Sequence, residues 1–233
     1  MKYIISLVFI TALLPGVGGS IETGFFYMTP LRIAILLLTV IYIGERLLGV
    51  RREGYHLKSS NMGSILFVII WFLYSLLTVF WVKDLDAWQH GEYFIALGVW
   101  VVLLFDMADL KEIEFMFILK AAHIAIIVHN VIGWYEIVTH NYLFLPPERI
   151  ELIGSYGIYY PISTMLNQND FALVLIFGLC TSVYFINTSK MKSIKIFNCL
   201  LLLSNIALIV CTDSRLGIAG MVIALSVTGI FLI

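Results

Sequence analysis

Charge is what this chain lacks. Only 12% of its 233 residues are Asp, Glu, Lys or Arg, while 61% are hydrophobic, against roughly 25% charged in an ordinary soluble domain. A water-facing globule of this size cannot cover itself with so few charges, which excludes a soluble enzyme, a nucleic-acid-binding domain and a disordered chain. Cysteine is scarce too: Cys180, Cys199 and Cys211 lie in apolar runs, form no C-x-x-C and cannot all pair. They read as small hydrophobes, neither a disulfide framework nor a metal site. Across the whole chain there is no P-loop, G-x-G-x-x-G, G-x-S-x-G or H-E-x-x-H. No internal repeat, low-complexity tract or second soluble domain is visible.

What is present is apolar sequence in long runs, with a mean hydropathy of +0.99. A bilayer core of about 30 Å needs roughly 20 apolar residues per helix, and backbone at that depth must bond within its own segment. Eight stretches qualify, near 3–21, 30–49, 62–82, 91–108, 113–139, 170–187, 194–212 and 215–233. Lys2 and the Pro15-Gly16-Val17-Gly18-Gly19 end of the first stretch suggest a signal peptide. With seven more spans behind it and no A-x-A-like site, an uncleaved first helix is the expectation. The sequence therefore predicts an all-α, polytopic integral membrane helix bundle, a single transmembrane domain over 1–233.

Net charge is −1 and points to no partner, but the placement of the charges orients the chain. With the N-terminus cytoplasmic, ten of the fourteen basic residues fall inside: Lys2, Arg46, Arg51, Arg52, Lys58, Lys111, Lys120, Lys190, Lys192 and Lys195. Arg32, Lys83, Arg149 and Arg215 remain outside. Inner connections are short and basic. One outer connection is long, 140–169, and holds three of the five prolines and a cluster of tyrosines. It is too apolar and aromatic for disorder and is expected to fold back onto the outer membrane surface.

Three constellations could carry chemistry. In Thr212 to Gly220, "TDSRLGIAG", a helix begins at the outer face with Asp213 or Ser214 as N-cap and Arg215 in its first turn. Free N–H groups, the positive end of the helix dipole and a guanidinium converge there, as phosphate binding requires. A snorkelling Arg215 against lipid headgroups is an equal alternative. Gly217 and Gly220 read first as close helix packing, Gly220 sharing a small-residue face with Ala224 and Thr228. In Met165 to Leu175, "MLNQNDFALVL", Asn167, Gln168 and Asn169 precede Asp170 at another outer helix start. Capping by Asn169 or Asp170 accounts for one of these residues, and carboxamides suit sugar hydroxyls or phosphate oxygens. In 113–139 and just beyond, His129, Gly133, Glu136 and His140 share a face, with His123 and Asn130 on a neighbouring stripe. These serve either a helix-to-helix hydrogen-bond network or a wet cavity. Lys120 snorkels to the inner interface. Asp84-Leu85-Asp86 is a D-x-D on the outer side, away from cytoplasmic nucleotide sugars, and reads as a chance spacing.

The pairing of "LNQNDFA" with "TDSRLGIAG" two spans later resembles the O-antigen ligase and polysaccharide polymerase superfamily. That family carries a G-x-x-x-N-x-N-x-x-A segment followed by T-x-S-R-x-x-x. Asn167, Asn169 and Ala172 match the first, and Thr212, Ser214 and Arg215 the second. "LLPGVGGSIETGFFYMTPLRIAILLL" and "WFLYSLLTVFWVKD" are similar to the capsule- or exopolysaccharide-linked branch. The resemblance implies a GT-C-like glycosyltransferase architecture in the bacterial cytoplasmic membrane and a metal-independent, inverting transfer needing no cofactor. The implied donor is an undecaprenyl-pyrophosphate-linked glycan, and the implied acceptor a glycan or lipid-linked sugar; membrane lipids are further partners and nucleic acid is not one. Arg215, Ser214, Asn167 and Asn169 are then the substrate-binding candidates. Topology and polarity alone add Arg149, Arg32, Gln168 and Glu136. Family members carry a second large outer loop with a further arginine and a histidine thought to act as base. Nothing here matches that histidine, so the motif region, about 160–233, is expected to be incomplete, the chain a truncated N-terminal portion and the base beyond Ile233. None of His56, His90, His123, His129 or His140 inherits the role. A transporter or flippase for lipid-linked glycans or small solutes is the alternative from another class. Broken helices at mid-span would favour it, and the polar clusters lie instead at the outer surface. An inactive membrane fragment is the third reading.

Overall fold

Apolar runs that must satisfy their own backbone form helices, and helix dominates the described residues. The computed structural model describes residues 2–15, 21–22, 27–48, 62–85, 88, 91–92, 95–96, 98–100, 112–145, 159–165 and 167–230. Its α-helices are α1 (Lys2–Leu13), α2 (Pro30–Leu47), α3 (Met62–Leu77), α4 (Glu112–Thr139), α5 (Gln168–Thr188), α6 (Lys192–Cys211) and α7 (Arg215–Ile230). Single 3-10 turns occupy Thr78–Phe80 and Ser163–Met165. The sole extended pairing among the described residues is a two-residue antiparallel bridge, Ile21 opposite Met28 and Glu22 opposite Tyr27. Among the described residues, three helices are long and apolar enough to cross a membrane: Phe115–Thr139, Gln168–Thr188 and Lys192–Cys211. Tyr3–Leu13, Leu66–Phe80 and Arg215–Gly229 are shorter apolar helices.

The helices overlap seven of the eight predicted stretches, overhanging some by one or two residues; most of the other, 91–108, lies outside the described residues. α1 stops at Leu13, well short of the expected residue 21, because Pro15 lacks an N–H and pushes Leu14 away from helical geometry. α5 starts earlier than expected, at Gln168, and its N-cap is Asn167, neither Asn169 nor Asp170.

The chain divides into two compact units. One comprises Met1–Ile5 and Ile35–Phe115, the other Ser6–Ala34 and Met116–Ile233. In the first, indole and hydroxyl groups make the internal links: Trp88 Nε1 donates to Thr78 Oγ1 (2.9 Å), Trp100 Nε1 to Thr39 Oγ1 (3.0 Å) and Ser75 Oγ to Glu92 Oε2 (3.0 Å).

The second unit has a core centred on buried Phe171, Leu175 and Leu179 of α5 with Leu208 and Ile209 of α6. α7 joins α5 through small residues. A Cβ on Gly217 would stand 2.6 Å from Ala172 Cβ, and one on Gly220 would stand 2.6 Å from Ile176 Cδ1. Hydrocarbon surroundings give no hydrophobic drive for helices to associate, so such backbone proximity and buried polar bonds hold them together. The rungs Asn169–Ser214, Ala172–Gly217 and Ile176–Gly220 ascend together. α5 and α7 are therefore parallel, and their N-termini lie side by side. α4 is tied to α6 by amides: Asn130 Nδ2 donates to Asn205 Oδ1 (2.9 Å), and Ser204 Oγ donates to Asn130 Oδ1 (2.6 Å) while accepting from Trp134 Nε1 (2.8 Å). His123 Nδ1 meets Thr181 Oγ1 of α5 at 3.0 Å.

Candidate functional site

The α5 and α7 N-termini build the site. Asn167 is extended (φ −149°, ψ 132°), and its Oδ1 accepts the Asn169 N–H at 2.8 Å, filling one of the orphan donors of the first turn. Asp170 adds negative charge where the dipole favours it. At the other terminus Thr212 Oγ1 donates to Ile209 O (2.7 Å) and accepts the Ser214 N–H (3.3 Å). Asp213 then turns the chain with φ 51°, a left-handed conformation that Asp tolerates better than most residues. Ser214 is the N-cap of α7: its Oγ accepts the Gly217 N–H at 2.9 Å.

The same hydroxyl donates to Asn169 Oδ1 at 2.7 Å. One serine thus caps α7 and joins it to the first turn of α5. Both asparagine Oδ1 atoms are engaged, so what Asn167 and Asn169 offer a ligand is their amide N–H groups, on side chains exposed at the surface. Thr212 and Ser214 are buried, whereas Arg215, the first helical residue of α7, is exposed. Two positive helix ends, two exposed carboxamide donors and a guanidinium in the first turn of α7 make a place suited to an oxyanion.

The end of the long connection between α4 and α5, residues 159–165, is pinned among the helices. Ile162, Ser163 and Thr164 are buried, while Tyr159 is exposed. Glu136 Oε2 accepts the N–H of Ile162 (2.9 Å) and of Ser163 (2.8 Å), and Glu136 is 2% exposed. His129 Nε2 faces the Leu13 carbonyl, and its Nδ1 lies 2.9 Å from Ser163 Oγ. A neutral ring that donates from Nε2 accepts at Nδ1, so the Ser163 hydroxyl is the donor. Gly133 lets the Phe171 ring approach where a Cβ would sit 2.8 Å from its Cζ. His140 leaves the predicted stripe: it follows the end of α4 with φ 54°, returns its N–H to Glu136 O (2.8 Å) and stacks near Tyr159 with ring centroids 4.7 Å apart.

Two tyrosines complete the return. Tyr142 OH donates to Tyr160 O (2.9 Å), and Tyr160 OH donates to Asp213 Oδ2 (3.3 Å). Burial, with the negative Glu136 nearby, pushes the Tyr142 phenol up to about 12. Partial loss of solvent and the Asp213 carboxylate also raise Tyr160. Both phenols therefore stay protonated and able to donate.

Among the other candidates, Gln168 is half-buried at the start of α5. Arg32 stands in the first turn of α2, where Thr29 Oγ1 lies 3.4 Å from its backbone N. Arg149 lies outside the described residues. Sequence reasoning missed Tyr160 and Ser163. The signal for Ser163 was in the motif: the family pattern has glycine four residues before its first asparagine, and Ser163 occupies that place with φ 53°, a conformation that favours glycine.

The chain is similar to the teichuronic acid biosynthesis protein TuaE of Bacillus subtilis (strain 168), with 25% identity over 212 residues, 89% of this chain and 42% of that protein. It thus spans less than half of that relative's length. No family model matches the chain, and no solved structure matches it.

Proposed function

We propose that this protein serves bacterial surface polysaccharide biosynthesis as a membrane glycosyltransferase of the O-antigen ligase-like superfamily. In this reading it is a GT-C-like bundle of about eight spans in the cytoplasmic membrane, with its N-terminus cytoplasmic. It transfers or polymerises undecaprenyl-pyrophosphate-linked glycans at the outer face. The similarity to a teichuronic acid biosynthesis protein supports the polysaccharide role.

The observation that carries the proposal is the Ser214–Asn169 hydrogen bond. It turns two motifs far apart in sequence into one oxyanion-suited surface. An acceptor hydroxyl attacks the anomeric carbon with inversion as the bond to the pyrophosphate oxygen breaks. Arg215, the α7 N-terminus and the amide N–H groups of Asn167 and Asn169 hold the departing pyrophosphate. Fixed donors aimed at developing negative charge are among the largest contributions to catalysis, about 10²–10³ in rate for one donor.

Arg215→Ala should lower glycan transfer by about 10²-fold or more without lowering the amount of protein in the membrane. Asn169→Asp keeps an oxygen for the Ser214 hydroxyl but replaces the N–H donors by a carboxylate, and should be as severe. Undiminished polymer in the Arg215→Ala strain would falsify the assignment.

A further inference from the structure

A buried glutamate in a span usually faces a cavity or a partner. Glu136 is 28 residues before Thr164 in the chain and spends one carboxylate oxygen, Oε2, on two successive backbone N–H groups of the 159–165 segment. Ser163, left-handed at φ 53°, turns the backbone so that its N–H and that of Ile162 converge on that oxygen. The segment is a strap with four attachments: Glu136 and His129 hold Ile162 and Ser163, Tyr142 holds the Tyr160 carbonyl, and Tyr160 OH reaches Asp213. Asp213 is the left-handed residue immediately before the Ser214 cap and Arg215. The strap also leads within two residues into Asn167, the cap of α5. One buried carboxylate is therefore connected to both helix N-termini of the site, and to the second through a phenol.

We propose that Glu136 is a positioning residue: through the 159–165 strap and the Tyr160–Asp213 hydrogen bond it sets the orientation of the Ser214–Arg215 terminus that binds the anionic part of the lipid-linked donor. This rests on the proposed glycan transfer. Glu136 needs no contact with substrate, and its role is carried by acceptance of two N–H groups, which a carboxamide oxygen can also provide.

The test uses the complete protein in membranes of its host, with an undecaprenyl-pyrophosphate-linked glycan as donor. Glu136→Leu, Glu136→Gln, Tyr160→Phe and the Glu136→Leu/Tyr160→Phe pair are compared for kcat and donor KM at equal protein amount. Backbone hydrogen exchange is followed over 159–165, where loss of the carboxylate should open the strap locally. For Glu136→Leu the expected result is exchange of the Ile162 and Ser163 amides about tenfold faster and kcat/KM about tenfold lower, the equivalent of one or two lost hydrogen bonds, mainly through donor KM. Glu136→Gln should restore both. Tyr160→Phe should lower kcat/KM in the same direction without changing Ile162 and Ser163 exchange, and the double variant should be no worse than Glu136→Leu.

A Glu136→Gln protein with an intact strap that is as inactive as Glu136→Leu overturns the proposal, since the carboxylate would then act on substrate. Unaltered donor KM in both Glu136→Leu and Tyr160→Phe overturns it too. If Glu136→Leu fails to accumulate, Tyr160→Phe decides alone: unchanged kcat/KM counts against the coupling, and a raised donor KM supports it. Full transfer by Arg215→Ala would instead refute the glycan-binding assignment and leave the exchange result standing as a property of the strap.

Discussion

Ser214 donates its hydroxyl to Asn169 Oδ1 across 2.7 Å while accepting the Gly217 N–H at 2.9 Å, so capping and interhelical contact share one side chain. Ser214→Ala should destabilise the protein by about 1–2 kcal/mol, the loss of a cap plus one hydrogen bond. Asn169→Ala should cost less, because the serine keeps its capping role. In a double-mutant cycle read by denaturant unfolding in detergent, the pair should couple by roughly 0.5–1.5 kcal/mol. Strict additivity would show that the hydroxyl and the carboxamide act independently.

The α5–α7 approach makes a second expectation. Gly217→Ala puts a methyl 2.6 Å from Ala172 Cβ, and two methyl carbons cannot share that distance. The substitution should destabilise by about 1–3 kcal/mol through forced separation of the helices. Ala172→Gly in the same chain removes the nearest obstacle, leaving Ser214 Cβ and Oγ at 3.1 Å, and should recover part of the loss. Melting temperature in one detergent, measured for both single variants and the pair, checks this; a neutral Gly217→Ala would show that the helices part freely.

The left-handed turn at Ser163 gives a third. Ser163→Gly relieves a conformation costly to residues with a Cβ but removes the hydroxyl that donates to His129, so the two effects oppose and stability should change by no more than about 1 kcal/mol. Ser163→Val combines a β-branched residue at positive φ with loss of the hydroxyl, and should cost about 2 kcal/mol or more. Limited proteolysis in the connection between α4 and α5 should be unchanged for the glycine variant and faster for the valine variant.

The sequence showed where helices lie because apolar length is a local property. It also exposed both polar motifs, since Asn167, Asn169, Ser214 and Arg215 interrupt otherwise apolar text. Contacts between distant segments left a weaker trace. Glu136 on a helical stripe was compatible with a cavity or a network, and only the folded chain shows its oxygen taking the Ile162 and Ser163 amides. Asn205 lies in an apolar run, and its pairing with Asn130 depends on the rotation of two helices, which hydropathy does not encode. Conversely, the cap of α5 was misplaced because Asn167, Asn169 and Asp170 are all good capping residues, and the choice among them rests on where the extended backbone ends.

The Asn130–Asn205 hydrogen bond also constrains the order of manufacture. The two asparagines are 75 residues apart, so at about 5–20 residues per second a ribosome needs roughly 4–15 s to supply the partner after Asn130 has been made. Until then the Asn130 amide turns to the Ile126 carbonyl of its own helix, whereas Glu136 and His123 meet their partners in Ile162, Ser163 and Thr181, which are made earlier, and His129 meets the Leu13 carbonyl, which is already present. The buried hydrogen bonds of α4 are therefore complete only once α6 has been made. Final packing of the bundle becomes an event shared by α4, α5 and α6, timed by the synthesis of the last.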